Sequence, residues 1–533
     1  MKVPKRFKGE SLTDYAVRLA NIYSEYHKLE ERKNKGQFFT PKEVAIFMAK
    51  LISVNQREIK VLDPGAGTGI LVVSLCEVMK SINQDENIKI MIDIYENDPN
   101  LLPLLEAVLQ ECLNEMKDLG YDVEFNIYEQ DFILHNAIYF SKESIDPWAS
   151  KKRSYYDIVI SNPPYYKINK NSPYSIAMRE LIYGQPNIYA LFMASATSLL
   201  RDGGEGIFIT PRSFCSGLYY KKSREWFLNN TTIDHIHIFE SRKDIFDSDG
   251  VLQENIILKI TKGKTRKNSK VSISVSRDKS FEDFRTLKVS PKYVIYHKNR
   301  DVFIRLPSSP LDVRILDILD KWHNTLKDLG LEISTGPVVP FRAKEYLCKK
   351  FSRSGEAPLL WMHNIQGFDV IWPLRKNNKE ESIMVNEKSK SILLPVSNYV
   401  LLKRFSSKEQ KRRLYAGVML KVNFKQYKYI GIENHINYIH RPTGILSESE
   451  AFGIAAILNT TIVDRYFRIL NGNTQVNATD IRSMPFPSIE EIKKIGEVVQ
   501  KQKPQIGYEL DNVVGRILGW DSELIKQLND AEG

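Results

Sequence analysis

Asn162-Pro163-Pro164-Tyr165 follows the apolar run 156–160, so the tetrapeptide stands where a buried strand ends and a loop begins. Ligands of open α/β sheets sit at the carboxyl ends of strands, which is where chemistry is expected. The two prolines fix φ and remove two backbone donors, leaving carbonyls free to face a ligand. The Asn162 side-chain oxygen and the Pro163 carbonyl can together accept the hydrogens of one exocyclic amino group. Tyr165 offers a flat face on which a planar base can stack. These residue types in this order suit methylation of an amino nitrogen.

Upstream, Asp63-Pro64-Gly65-Ala66-Gly67-Thr68-Gly69 reads as a strand end, a glycine-rich turn and a helix start. Glycines let a backbone approach a ligand and adopt positive φ. The spacing lacks a full GxGxxG, and no Lys-Ser/Thr follows to make a phosphate loop. Asp63 would repel phosphates and suits a cationic ligand better. Glu96 closes the next strand, where a carboxylate can accept both ribose hydroxyls. Asp131 follows the third strand and can accept an adenine amino group. Each acid alone reads as a solvated strand end. At three successive strand tips they describe a pocket for an adenosine carrying a positive charge, and S-adenosylmethionine fits. No metal is expected, because Cys76, Cys112, Cys215 and Cys348 have neither metal-ligand nor disulfide spacing.

Placing these residues requires alternating strands and helices. Residues 1–35 read as a helical segment capped by Ser11 or Thr13, broken at Gly36, with Pro41 opening the next helix. Strands are expected at 59–62, 89–95, 123–128, 156–160 and 206–209, with helices at 69–81, 101–117 and 189–200. This pattern predicts an α/β fold of Rossmann-like methyltransferase type, a mostly parallel sheet with helices on both faces. A basic stretch at 262–270 reads as a linker. Beyond it come short β-like runs, with helices expected at 311–329, 448–470 and 489–500. The expected domains are therefore a catalytic one at 36–262, an α+β one at 263–488 and a helical tail at 489–533.

At 533 residues the chain is too long for one ordinary domain. No run of eighteen apolar residues and no apolar leader is found, so a cytoplasmic chain without membrane contact is expected. The net charge of +11 is unevenly spread. Residues 262–300 carry +9 and residues 403–428 carry +8, so the rest of the chain is slightly acidic. Two concentrated basic segments suit a polyanion such as nucleic acid.

These blocks, in this order, resemble the gamma class of DNA adenine-N6 methyltransferases of bacterial restriction–modification systems. The resemblance covers about residues 30–260. It implies that Thr40, in Gly36-Gln37-Phe38-Phe39-Thr40-Pro41, holds the methionine end of the cofactor. It implies that Phe192 packs on the cofactor adenine, and that Phe246, in Asp244-Ile245-Phe246, stacks on an extruded adenine. The spacing from Phe246 to the following strand departs from the family pattern. Residues 471–487 resemble the closing segment of a TaqI-like specificity domain. The implied partners are double-stranded DNA in the nucleoid and a separate restriction endonuclease, and monomeric action would suffice.

Within that resemblance Asn162, Pro163, Pro164, Tyr165 and Phe246 are the catalytic set. Thr40, Asp63, Pro64, Gly65, Gly67, Gly69, Glu96, Asp131 and Phe192 are the cofactor set. Asn162 is expected to make no cofactor contact of its own. The alternative is the same chemistry on ribosomal RNA or a protein glutamine, which rarely needs some 240 extra residues. Cytosine-N4 enzymes usually carry Ser where Asn162 stands, and cytosine-C5 chemistry needs a Pro-Cys nucleophile, which is missing here. A fused nuclease is not expected, and an inactive DNA-binding subunit is disfavoured by the intact cofactor-side residues.

Overall fold

The computed structural model describes residues 3–54, 56–82, 88–137, 155–241, 254–263, 269–298, 301–352, 355–374, 379–406, 410–472 and 475–530. The chain divides into two compact units, Met1–Ser308 and Ser309–Gly533.

Among the described residues the first unit carries a main sheet of nine strands, besides a small hairpin (Ile295–Lys298 and Asp301–Ile304): β1 (Glu58–Asp63), β2 (Lys89–Tyr95), β3 (Asp122–Tyr128), β4 (Tyr156–Ser161), β5 (Leu200–Pro211), β6 (Thr231–Phe239), β7 (Asn255–Lys262), β8 (Val271–Ser276) and β9 (Arg285–Val289). The nine run in the order β3-β2-β1-β4-β5-β7-β6-β8-β9. Strands β1 to β5 are mutually parallel, and β7 runs antiparallel to both β5 and β6. The order reverses between β1 and β4, and a crevice opens there at the carboxyl ends.

Alternation along β5 and β7 gives each face of the sheet its own cover. Phe208 packs edge-on against Phe227, 6.3 Å between centroids. On the opposite face Lys259 donates to the Leu51 carbonyl at 2.7 Å. Helices α1 (Leu12–Tyr26), α2 (Leu29–Lys35), α3 (Lys42–Lys50), α4 (Ile70–Ile82), α5 (Leu102–Asp118), α6 (Phe132–Asn136), α7 (Pro173–Ala177), α8 (Ile188–Leu199) and α9 (Lys221–Asn230) complete the unit. Ser11 caps α1 by accepting from the Asp14 amide, and Pro41 is the N-cap of α3 rather than its first residue. The N-terminal helices are docked: Thr68 Oγ1 donates to the Ala16 carbonyl at 3.0 Å, and the Leu12 amide donates to Glu77 at 2.7 Å.

Position 262, expected to end the catalytic domain, closes β7 in the middle of the sheet. Val271–Ser276 adds to the same sheet through five pairs with β6. The alternation of Val271, Ile273 and Val275 with serines supplies a strand pattern that the basic composition around it masks.

Among the described residues the second unit holds a six-stranded and a five-stranded sheet, with one α-helix before them and the others after. The expected helix 311–329 is shorter, Pro310–Leu319. The expected helix 448–470 is two, Glu448–Leu458 and Thr461–Leu470, broken at Asn459. The Asn459 amide explains the break. It accepts from the Ala416 amide at 2.9 Å and donates to the Ala416 carbonyl at 2.7 Å, sewing the helix end to a strand.

Candidate active site

Strand β1 delivers Asp63 to its carboxyl end, fully buried. Asp63 Oδ1 accepts from the Gly65 amide at 3.3 Å, while Oδ2 is buried without a hydrogen-bond partner. Burial pushes this carboxyl up to about 7, with the Gly65 amide opposing and Glu96 adding to the rise. The turn after it depends on glycine. Gly67 has φ +58°, and a Cβ there would stand 3.3 Å from the Phe39 ring; Gly69 has φ +82°, and a Cβ would stand 2.9 Å from Leu105. Gly65 lies near Phe192, 3.8 Å from where its Cβ would be.

Glu96, one residue past β2, clamps that turn. Its Oε2 accepts from the Gly67 amide and its Oε1 from the Asp98 amide, both at 2.8 Å. Burial raises it to about 7, against the pull of those amides. Asp98 is the hub behind it. Its Oδ2 accepts from Tyr23 at 2.8 Å, Lys35 at 2.7 Å and Gln37 at 2.9 Å. Burial alone would raise Asp98, but the donors from Lys35, Gln37, Asn100 and Tyr23 win and hold it well below the usual carboxylate range. Through Lys35 and Gln37 this hub fixes the start of the loop carrying Phe38, Phe39 and Thr40.

The Asn162 loop leans on the same segment. Asn162 Nδ2 donates to the Phe38 carbonyl at 2.8 Å and to Thr40 Oγ1 at 3.1 Å. Asn162 is therefore tied directly to Thr40, a bond the sequence did not show; its two amide hydrogens reach across because its oxygen faces elsewhere. That oxygen accepts from the Tyr165 hydroxyl at 2.8 Å, which also lies 3.0 Å from the Ile209 carbonyl. The Tyr165 ring is buried, 5.8 Å from Phe38 and 5.9 Å edge-on from Tyr189, and burial pushes its hydroxyl far up. Tyr165 thus braces Asn162. Gly36, with φ +67°, admits this contact: a Cβ there would fall 2.5 Å from the Tyr165 nitrogen.

These elements enclose a cavity of about 500 Å³. Thr40, Pro64, Gly65, Gly67, Glu96, Asp131, Asn162, Pro164 and Phe192 all line it. Asp63 and Gly69 flank its wall in sequence, Pro163 is buried in the loop, and Phe246 lies outside the described residues. Asp131 caps α6 through the Leu134 amide at 2.9 Å and accepts from Tyr174 at 2.8 Å. Phe192 packs 5.4 Å from Phe132. Phe38, Phe39, Asp98 and Tyr166 also line the cavity, although no role was read for them in the sequence. Asp98 had a signal, a second acid two residues after Glu96; Tyr166 had none apart from following the tetrapeptide. Among the described residues no group of His, Cys, Asp and Glu could hold a metal ion, and no helix is long and apolar enough to cross a membrane.

The reversal of strand order, the glycine turn clamped by an acid and the Asn-Pro-Pro-Tyr loop together define a methyltransferase-type α/β fold. Residues 70–246 match the Eco57I restriction-modification methylase family. The chain is 37% identical over 495 residues to the type II methyltransferase M.BsuBI of Bacillus subtilis, covering 92% of this chain and 95% of that one. It is 32% identical to the type II methyltransferase M.PstI of Providencia stuartii, covering 88% and 90%. The chain belongs to the type II methyltransferases of restriction–modification systems. Among solved structures, a nuclease-deletion mutant of the type ISP restriction-modification enzyme LlaGI, in complex with a DNA substrate mimic, aligns with a TM-score of 0.49 and 12% identity, covering 89% of this chain and 47% of that one.

Proposed function

We propose that this chain methylates the exocyclic N6 of an adenine flipped out of a short duplex DNA motif, using S-adenosylmethionine, and so protects host DNA from a separate endonuclease. The observation that carries this reading is Asn162 at the end of β4, its amide held at the wall of an acid-bordered cavity. That cavity suits the cofactor on two counts. Its volume suits an adenosine, and Asp63 Oδ2 is a buried acceptor with no donor, beside a turn with no phosphate-binding lysine. Thr40, Asp63, Gly65 and Gly67 would hold the amino-acid end, with Gly69 shaping the turn behind them, Glu96 the ribose, and Asp131 with Phe192 the adenine. When bound, S-adenosylmethionine supplies a methyl group activated by a sulfonium charge.

An adenine amine is a weak nucleophile because its lone pair is delocalised into the ring. Asn162 Oδ1 has two lone pairs, one taken by Tyr165, so the second can accept an amine hydrogen while the Pro163 carbonyl takes the other. Held in this way, the nitrogen turns its lone pair out of the ring plane. Positioning and polarisation lower the barrier without an enzyme-bound intermediate, and the methylated nitrogen, acidic once cationic, would shed its surplus proton to solvent without a strong base. Extrusion of the base costs a few kcal/mol, offset by stacking. Tyr166 is the aromatic of this loop that already faces the cavity; the Tyr165 ring must leave Phe38 and Tyr189 before it can stack. Transfer of a labelled methyl group from the cofactor to unmethylated plasmid DNA, with recovery of N6-methyladenine, tests this reading. Label on RNA or protein but not on DNA would overturn it.

A further inference from the structure

The second unit carries a surface that the catalytic reading leaves unexplained. Phe341 is 76% exposed, yet the turn bearing it is not free to fold the ring away. The Arg342 amide donates to the Val339 carbonyl at 2.9 Å, the Ala343 amide to the same carbonyl at 3.0 Å, and Ala343 is buried. The turn is pinned at its base as well. The Val338 amide donates to Ile432 at 3.1 Å, and its carbonyl accepts from Asn434 at 2.9 Å. Gly336 passes so close to this segment that a Cβ would fall 2.3 Å from the Glu433 carbonyl.

From Asn434 the surface continues to an arginine. Arg404 Nη1 donates to the Asn434 carbonyl at 3.1 Å and Nη2 to Gln475 Oε1 at 3.3 Å. Its backbone is fixed on both sides, its amide donating to His435 and its carbonyl accepting from Val476, both at 2.8 Å. Each Nη keeps one hydrogen beyond these bonds, the pair of donors that can meet two acceptors on one base edge. Beside it, Phe405 is 38% exposed and meets the His435 ring edge-on at 4.7 Å.

We propose that Phe341, Arg342, Arg404, Phe405, His435 and Gln475 form the surface of the second unit that reads base edges in duplex DNA. The inference rests on the DNA reading above and adds which residues discriminate. Charge complementarity selects the occupant. Arg342 and Arg404 stand in stretches where bases outnumber acids, four to one over 341–350 and nine to one over 403–428. Two exposed aromatic rings and a pre-oriented guanidinium suit stacked bases and a purine edge better than an apolar protein partner. Within 403–428, Arg412 and Arg413 are buried and bonded inside the unit, to Thr461 at 2.7 Å and Ser406 at 3.0 Å. Those two hold the unit together, and Arg404 is the half-exposed arginine of that stretch.

The test uses the full chain. The motif marked by the unaltered protein in a methylation-free host is placed in one short duplex and scrambled in another. Phe341→Ala and Arg404→Lys should lower the ratio of affinities for the two duplexes about tenfold or more, the discrimination of one good base contact. Cofactor affinity and melting temperature should stay unchanged, and host DNA should acquire marks at near-match sites. Arg404→Lys retains the charge, so binding to the scrambled duplex should persist. An unchanged ratio in both folded variants overturns this inference alone. Absence of any DNA mark from the unaltered protein overturns the DNA reading, and this inference with it.

Discussion

At Asn162 one side chain does two jobs, and substitutions can separate them. Its oxygen is the proposed amine acceptor, and its nitrogen ties the Phe38 carbonyl and Thr40. Asn162→Ala should reduce turnover about a hundredfold or more, the scale of losing one preorganised polar group at a reacting centre. Cofactor affinity should fall less, because only the tether to Thr40 is lost; equal losses in both would mean that Asn162 acts only as a brace. Tyr165→Phe removes the hydroxyl that orients the amide and keeps the ring, so single-turnover rates should drop by less than about tenfold. Asp63 and Glu96 give the site a pH signature. Burial lifts both to about 7, so in the fold alone they keep their protons above the ordinary carboxylate range. The stability this contributes is lost as pH rises from that range through about 7. A cation favours the ionised acids, so calorimetric cofactor affinity should strengthen as pH rises from 5 to 8, with proton release on binding. Flat affinity across that range would mean that neither acid ionises when the cofactor binds.

The elements that carry these side chains differ in how openly the sequence declares them. Strands β1, β2 and β4 follow from the apolar runs that burial on both faces leaves, the edge strand β3 from its alternation, and helices α4 and α5 from apolar periodicity. The packing of loop 36–41 on the Asn162 loop was hidden, since it depends on Gly36 having no side chain where the Tyr165 nitrogen passes. Asp98 showed only as a second acid after Glu96; its role as a hub was hidden, because its partners Tyr23, Lys35 and Gln37 lie far off in sequence. Asp98→Ala should release the start of that loop, lowering the melting temperature by several degrees and weakening cofactor binding, because three donors lose a buried acceptor. Gly36→Ala should destabilise by about 1–3 kcal/mol through positive φ and overlap with the Tyr165 backbone. A melting temperature unchanged by Gly36→Ala would show that the two loops do not pack as described.

Across the whole molecule, the basic excess in 262–300 divides between structural and exposed roles. Lys262 is half-buried and donates to the Ser198 carbonyl at 2.7 Å, and Arg285 pairs with Glu240, whereas Lys270, Arg277 and Lys288 are exposed around β8 and the edge strand β9. If these three meet phosphates, replacing them with alanine should flatten the salt dependence of DNA binding by about 0.9 in log–log slope per lost contact. An unchanged slope would return them to ordinary solvated surface. The charge pattern made the polyanion legible. It did not show which basic residues of 403–428 face outward, because Arg412 and Arg413 are buried by partners that composition does not reveal, Thr461 and Ser406. The proposed reaction is methyl transfer to adenine N6 in duplex DNA. Its most direct test is single-molecule modification sequencing of DNA from a methylation-free host expressing this chain. N6-methyladenine at one short motif, lost with Asn162→Ala, is the expected result; an unmarked genome with folded, cofactor-binding protein would contradict it.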